Sequence, residues 1–110
     1  MSKRILPRVM VNYRVAYQNA QGYGHGTLLD LSPRGCRIKG VAPGSWGTRL
    51  RLQLWLPHLS PSVAIELAAI RWVKHDEFGV SFLDVPSDVQ AHLAQVCRLL
   101  PEAQQLANRA

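Results

Sequence analysis

The sequence predicts an all-β fold, a small antiparallel barrel or sandwich of six strands followed by one α-helix. Three observations carry this expectation. Six short segments read as strands, most of them with apolar residues on alternate positions, turn-forming residues separate them at close spacing, and only after Ser87 does the apolar period lengthen to that of a helix. Closing the sheet on itself would hide its edges.

The first strand covers residues 9–18, with Val9, Val11, Tyr13, Val15 and Tyr17 on one phase and Asn12, Arg14 and Gln18 on the other. QNAQG turns the chain into a second strand at residues 23–31. Ser32-Pro33-Arg34-Gly35 then satisfies a type I turn, with Ser first, Pro second and Gly fourth. That turn explains three residues of the stretch LLDLSPRGCRIKG but gives no reason for Asp30 or Arg34. A third strand follows at residues 35–40, and APGSWG is a loop. Residues 48–56 alternate again, with Leu50, Leu52, Leu54 and Leu56 inward and Arg49, Arg51, Gln53 and Trp55 outward, until PHLSPS breaks the pattern. Val63, Ile65, Leu67 and Ala69 keep one phase of the fifth strand while Ile70 and Trp72 fall on the other, which predicts a bulge or sharp twist near Ala69. HDEFG is the next hairpin turn, and Phe78, Val80 and Phe82 mark the sixth strand.

From Ser87 the residues Val89, Leu93, Val96 and Leu100 recur at helical spacing, Ser87 and Gln90 read as a capping box, and Pro101 reads as the stop. The stripe must cover something: a barrel opening or an exposed sheet is expected, with a partner protein as the alternative recipient. The expected organisation is a flexible N-terminal arm at residues 1–8, the barrel and its helix at 9–100, and a tail at 101–110 that has no assigned role and is open to extending as a loose helix.

A chain of 110 residues with 47% apolar and 18% charged residues supports one ordinary globular core. No apolar run approaches a membrane span, and MSKRILPRV lacks the hydrophobic middle of a signal peptide, so a cytoplasmic location without membrane insertion is expected. Cys36 and Cys97 fit no CxxC pattern and read as reduced thiols. The net charge of +6 is concentrated: residues 1–39 hold seven basic residues against Asp30 alone, whereas residues 40–110 hold six of each sign. Such a concentration suits an anionic partner, or is a solvated basic face.

Catalytic and metal-binding patterns are missing. His25, His58, His75 and His92 match no zinc spacing and read as surface or turn residues. GYGHG opens a strand rather than a helix, so its glycines read as points of twist or close approach, not as a phosphate loop. No nucleophile elbow is present, and the chain is not expected to be an enzyme or to carry a cofactor or metal.

Two motifs remain. Arg4-x-x-x-Arg8 precedes the first strand, and Asp30-x-Ser32-x-x-Gly35 closes the second. In this order and strand context they resemble the PilZ domain family, and the resemblance extends to Ile70-Arg71-Trp72, to the closing Phe78-Gly79-Val80-Ser81-Phe82-Leu83 and to the C-terminal helix. It implies an all-β, six-stranded antiparallel PilZ-type β-barrel with a C-terminal α-helix that binds the bacterial second messenger cyclic di-GMP.

The residues suit that ligand, which carries two phosphates and two guanines. Arginine forks match phosphate oxygens or the guanine O6/N7 edge, and a carboxylate accepts two adjacent guanine N–H donors. By resemblance, Arg4 and Arg8 clamp phosphate and guanine, Asp30 and Ser32 hold a guanine, and Gly35 allows close backbone approach. Arg34 and Arg37 either add charge near the ligand or are solvated, and Trp72 either stacks on a guanine or packs in the core. Lys3, beside Arg4, bears on whether one or two ligand molecules bind. The expected function is that of a receptor and adaptor that signals to a downstream protein, in processes such as motility or biofilm formation. The alternatives are a PilZ-fold protein acting only through protein contacts, and a basic barrel that binds single-stranded nucleic acid on tyrosines such as Tyr13, Tyr17 and Tyr23.

Overall fold

The computed structural model describes residues 9–56 and 60–108, with side chains over 10–56 and 62–99. Six strands, β1 (Val9–Asn19), β2 (Gly22–Ser32), β3 (Gly35–Lys39), β4 (Arg49–Leu56), β5 (Ser60–Lys74) and β6 (Glu77–Phe82), precede one helix, α1 (Ser87–Asn108). The strands close into a barrel in the order β1-β2-β3-β6-β5-β4, and every neighbouring pair is antiparallel. The expected architecture is the observed one, a closed six-stranded barrel with a C-terminal helix.

Alternation fills the interior. Val15 and Tyr17 of β1, Leu50, Leu52, Leu54 and Leu56 of β4, and Phe78, Val80 and Phe82 of β6 are all buried. Burying each aliphatic side chain contributes about 1.5–3 kcal/mol. Tyr17 also meets Phe78 edge-on, with ring centroids 5.2 Å apart, and donates its hydroxyl to the Val41 carbonyl at 2.9 Å. That hydroxyl therefore fastens the loop between β3 and β4, which must carry the chain across one barrel end because those strands are not neighbours. Gly40 N–H to Asp76 O at 2.7 Å and Gly47 N–H to Ile70 O at 2.7 Å hold the same loop.

In GYGHG, Gly24 and Gly26 are points of close approach, as expected, whereas Gly22 has open space around it and a positive φ of 145°. A Cβ on Gly26 would run into the Lys39 carbonyl oxygen and lie 3.0 Å from Ile38 Cγ2.

The helix seals the barrel with Leu93, Val96 and Cys97, which are buried within the core cluster, while Val89 packs against it. The helix starts at Ser87 as expected, while the capping box and the stop at Pro101 are corrected. Gln90 N–H donates to the Pro86 carbonyl at 2.9 Å, so the helical bonding begins one residue before Ser87 and no capping box forms. At the other end the helix passes through Pro101 to Asn108. Proline in a helix removes one hydrogen bond and tends to kink it, but the Leu-, Ala-, Glu- and Gln-rich residues around it favour continuation.

The phase slip expected near Ala69 is present as two irregularities that bracket it. Against β4 the register shifts between Leu50 and Leu52, opposite Ala68 and Ile65, and against β6 it shifts between Ile70 and Trp72. A third shift, in β2 between Leu28 and Asp30, has its reason in the site below.

Both cysteines are free and buried. Burial pushes the Cys97 thiol from 9.0 up to about 11 and raises the Tyr17 phenol above 10.0. A group that holds its proton more tightly when folded contributes stability below its unfolded pKa and loses it as pH rises through the folded value. The urea midpoint is therefore expected to hold at neutral pH and fall between pH 9 and 11, with a shallower fall in Cys97→Ala. Equal slopes for the two proteins in a pH series of urea titrations would refute the Cys97 contribution.

Candidate functional site

Asp30 is 4% exposed, yet strand phase keeps it out of the barrel interior. In unbroken alternation Leu28, Asp30 and Ser32 would share one face, and the face that takes Leu28 is the barrel interior. β2 escapes this by carrying Leu29 as an extra residue against β3: Leu28 pairs with Ile38, and Asp30 pairs with Arg37. Leu28 and Leu31 can then both point inward, each fully buried, while Asp30 turns to the outer face with Arg37.

β5 repeats the device. Ile70 pairs with Val80 and Trp72 with Gly79, leaving Arg71 as the extra residue. Ile70 stays in the core, and Trp72 is turned outward and is 41% exposed. Of the two readings of Trp72, core or exposed stacking surface, the structure places it outside the core.

The two bulges align one row across four strands. Asp30 on β2 faces Arg37 on β3, Arg37 faces Gly79 on β6, and Gly79 faces Trp72 on β5. Gly79 brings no side chain, and the indole of Trp72 lies over it: a Cβ there would meet Trp72 Nε1. Arg37 Nε stands 3.3 Å from Asp30 Oδ2, and its Nη1 stands 3.6 Å from Glu77 Oε1. Nε itself is buried and makes no hydrogen bond among the described residues, so its contact with Asp30 is an ion pair without hydrogen-bond alignment. Arg37, Trp72, Val73, Lys74 and Glu77 line an open depression of about 530 Å³. It offers an aromatic face, two cations and a carboxylate, a combination suited to a planar, anionic, hydrogen-bonding ligand.

Beyond Asp30 the strand enters the turn. Ser32 Oγ accepts from Arg34 N–H at 3.3 Å and donates to the Gly35 carbonyl at 3.3 Å, so the hydroxyl shapes the turn and keeps one acceptor position in reserve. Gly35 is buried against β6, where a Cβ would collide with the Val80 carbonyl oxygen. Its close approach is thus to the protein's own backbone. Arg34 is exposed at the turn, and its carbonyl accepts from Phe82 N–H at 2.8 Å.

The structure therefore brings Asp30, Arg37 and Trp72 into one row and sets Ser32 and Gly35 in the adjoining turn. Lys3, Arg4 and Arg8 lie outside the described residues. Val9, the residue after Arg8, pairs with Leu31, so β1 begins beside Asp30. Sequence reasoning missed Glu77, Lys74 and Gly79. The signal for Gly79 was a glycine inside a strand, which marks a close approach. Tyr17, one of the tyrosines considered as a nucleic-acid platform, is a core residue.

Comparison with known proteins bears on the fold and the family. The family model described as PilZ domain matches residues 2–99. No curated protein matches the chain. Among solved structures, that of the Bacillus subtilis inhibitor of motility (MotI/DgrA) superposes with a TM-score of 0.72 at 18% identity, covering 100% of this chain and 54% of that one. The chain thus spans about half the length of that protein, and the likeness is one of fold.

If Gly79 makes room for Trp72, then Gly79→Ala should displace the indole and shift its fluorescence to longer wavelength. Comparison of Gly79→Ala with and without Trp72→Phe isolates this contribution, and an unchanged Trp72 emission would show that the ring does not rest on Gly79.

Proposed function

The chain belongs to the PilZ domain family, and from that membership we propose that it is a cytoplasmic receptor for cyclic di-GMP, not an enzyme, that relays ligand binding to a partner protein. The observation that supports this reading best is the placement of Asp30: a carboxylate almost fully buried on the outer face, beside Arg37 and next to the start of β1. A buried carboxylate in such a position is suited to accept the paired N–H donors of a guanine.

In this reading Arg4 and Arg8 come from the chain just ahead of β1 and clamp phosphate and guanine. Asp30 accepts from the guanine edge, and Ser32 offers its remaining acceptor position while its turn holds Asp30 in register. Gly35 contributes by letting β3 and β6 pack tightly under the turn. Trp72 supplies a stacking face, and Arg37 and Lys74 supply positive charge along the depression. Lys3 bears on ligand stoichiometry.

The energetics are sufficient. Hydrogen bonds to charged groups contribute about 1.5–3 kcal/mol each, and micromolar affinity requires about 8 kcal/mol. Two arginines and a carboxylate supply much of that after the cost of ordering chain and ligand. The likeness to an inhibitor of motility makes control of motility one candidate output.

Isothermal titration with cyclic di-GMP, with GTP and a short single-stranded oligonucleotide as controls, tests the proposal. Micromolar binding of the cyclic dinucleotide alone is expected, and Arg4→Ala or Arg8→Ala should each weaken it at least about tenfold, the loss of one charged hydrogen bond. Silence with cyclic di-GMP, or unchanged affinity in both variants, would overturn the assignment.

A further inference from the structure

Away from the Asp30 row, a groove of about 430 Å³ runs between β5 and the start of α1. That size falls within the range of about 300–1,000 Å³ common to binding clefts. Leu67, Leu83, Val85 and Val89 line it and are each only half-buried, which leaves apolar surface facing outward. Around this floor stand Glu66 from β5, Asp84 from the link after β6, and Asp88 from the first turn of α1.

These are three of the seven carboxylates in a chain of net charge +6. Arg51 engages Glu66 at 2.9 Å, whereas Asp84 and Asp88 have no ion pair among the described residues. His92 is the remaining titratable group of the lining. The floor is therefore apolar, and two of the three carboxylates on its rim, Asp84 and Asp88, have no counter-ion among the described residues.

We propose that this groove docks a basic amphipathic segment of a partner protein, with apolar side chains on the floor and Lys or Arg side chains against Asp84 and Asp88. Charge complementarity selects that occupant. A neutral or acidic segment would desolvate two carboxylates and return no partner to them. The groove also adjoins the motif turn through the backbone: Phe82 N–H donates to Arg34 O at 2.8 Å, and the next residue, Leu83, donates to Leu67 O at 2.9 Å. A shift of the turn would reach Leu83 and Leu67 through two hydrogen bonds, and this link alone rests on the receptor reading above.

Fluorescence anisotropy tests the docking without any nucleotide, so its failure and that of the receptor reading are separate results. The probe is a labelled synthetic amphipathic peptide of leucine and lysine, with its leucine and glutamate counterpart as control. The lysine probe should bind and the glutamate probe should not. The double variant Asp84→Asn, Asp88→Asn should weaken the lysine probe at least about tenfold, as expected when charge complementarity is removed. Asparagine preserves size and tolerates the positive φ of 49° at residue 84, so the fold is retained. Ala64→Arg, which places a cation in the groove from β5, should block the same probe with both aspartates intact. Binding of both probes alike, binding of neither, or lysine-probe affinity untouched by these variants would overturn the proposal. Self-association of the protein that disappears in the double variant would overturn it in favour of a second copy.

Discussion

The ion pair between Asp30 and Arg37 depends on one extra residue, Leu29, in β2, and the outer face is organised around that pair. The constraint is the interior of the barrel. A carboxylate on the phase of Leu28 would point into a core of leucines, isoleucines and phenylalanines, where an uncompensated charge costs several kcal/mol. Displacing the phase by one residue keeps Leu28 and Leu31 inside and moves the charge out to a cross-strand partner. Arg71 does the same for Trp72 on β5, so two unrelated strands are brought into one row. Gly79 completes it, because any side chain there would stand where the indole lies.

A barrel is a good carrier for such a row. With the strands closed, the positions of Asp30, Arg37 and Trp72 are set by ladder pairing rather than by loops, and side chains on paired strands are held more precisely than side chains on connections. The turn after Asp30 is equally constrained, since the Ser32 hydroxyl ties it from within and the Arg34 carbonyl ties it to β6. Residues assigned to a ligand by motif thus have a second occupation in the fold. Gly35 is needed by β6 whether or not anything binds.

The charge pattern changes meaning in three dimensions. Along the chain the positive excess lies in residues 1–39, yet β3 stands next to β6, and the acidic pair Asp76 and Glu77 is brought against it. Lys39 stands 3.9 Å from Asp76, and Arg37 lies between Asp30 and Glu77. Elsewhere Arg14 covers Trp55 at 4.4 Å and Arg71 approaches Trp46 at 5.7 Å. Several cations that look free in the sequence are therefore engaged. The carboxylates Asp84 and Asp88, which look balanced in the sequence, are the ones left without counter-ions among the described residues.

The amino-acid order alone determined the six strands, the turns between them, the helix after Ser87 and the two motifs that carry the resemblance. These are local properties, set by alternation, by turn chemistry and by the change of period. Which way Asp30 and Trp72 face was not local. It follows from bulges whose exact place is defined by the register against a neighbouring strand: the phase slip announced one near Ala69 but not at Arg71, and LLDLS reads equally well with or without one. Glu77, Lys74 and Gly79 joined the site because β6 and β5 close beside β3, a pairing of strands distant in the chain. The helix start at Ser87 was legible, but its stop was not, because Pro101 carries a strong local signal while the helix runs on through it to Asn108. Local patterning settles what each segment is, and only non-local pairing decides which residues share a face.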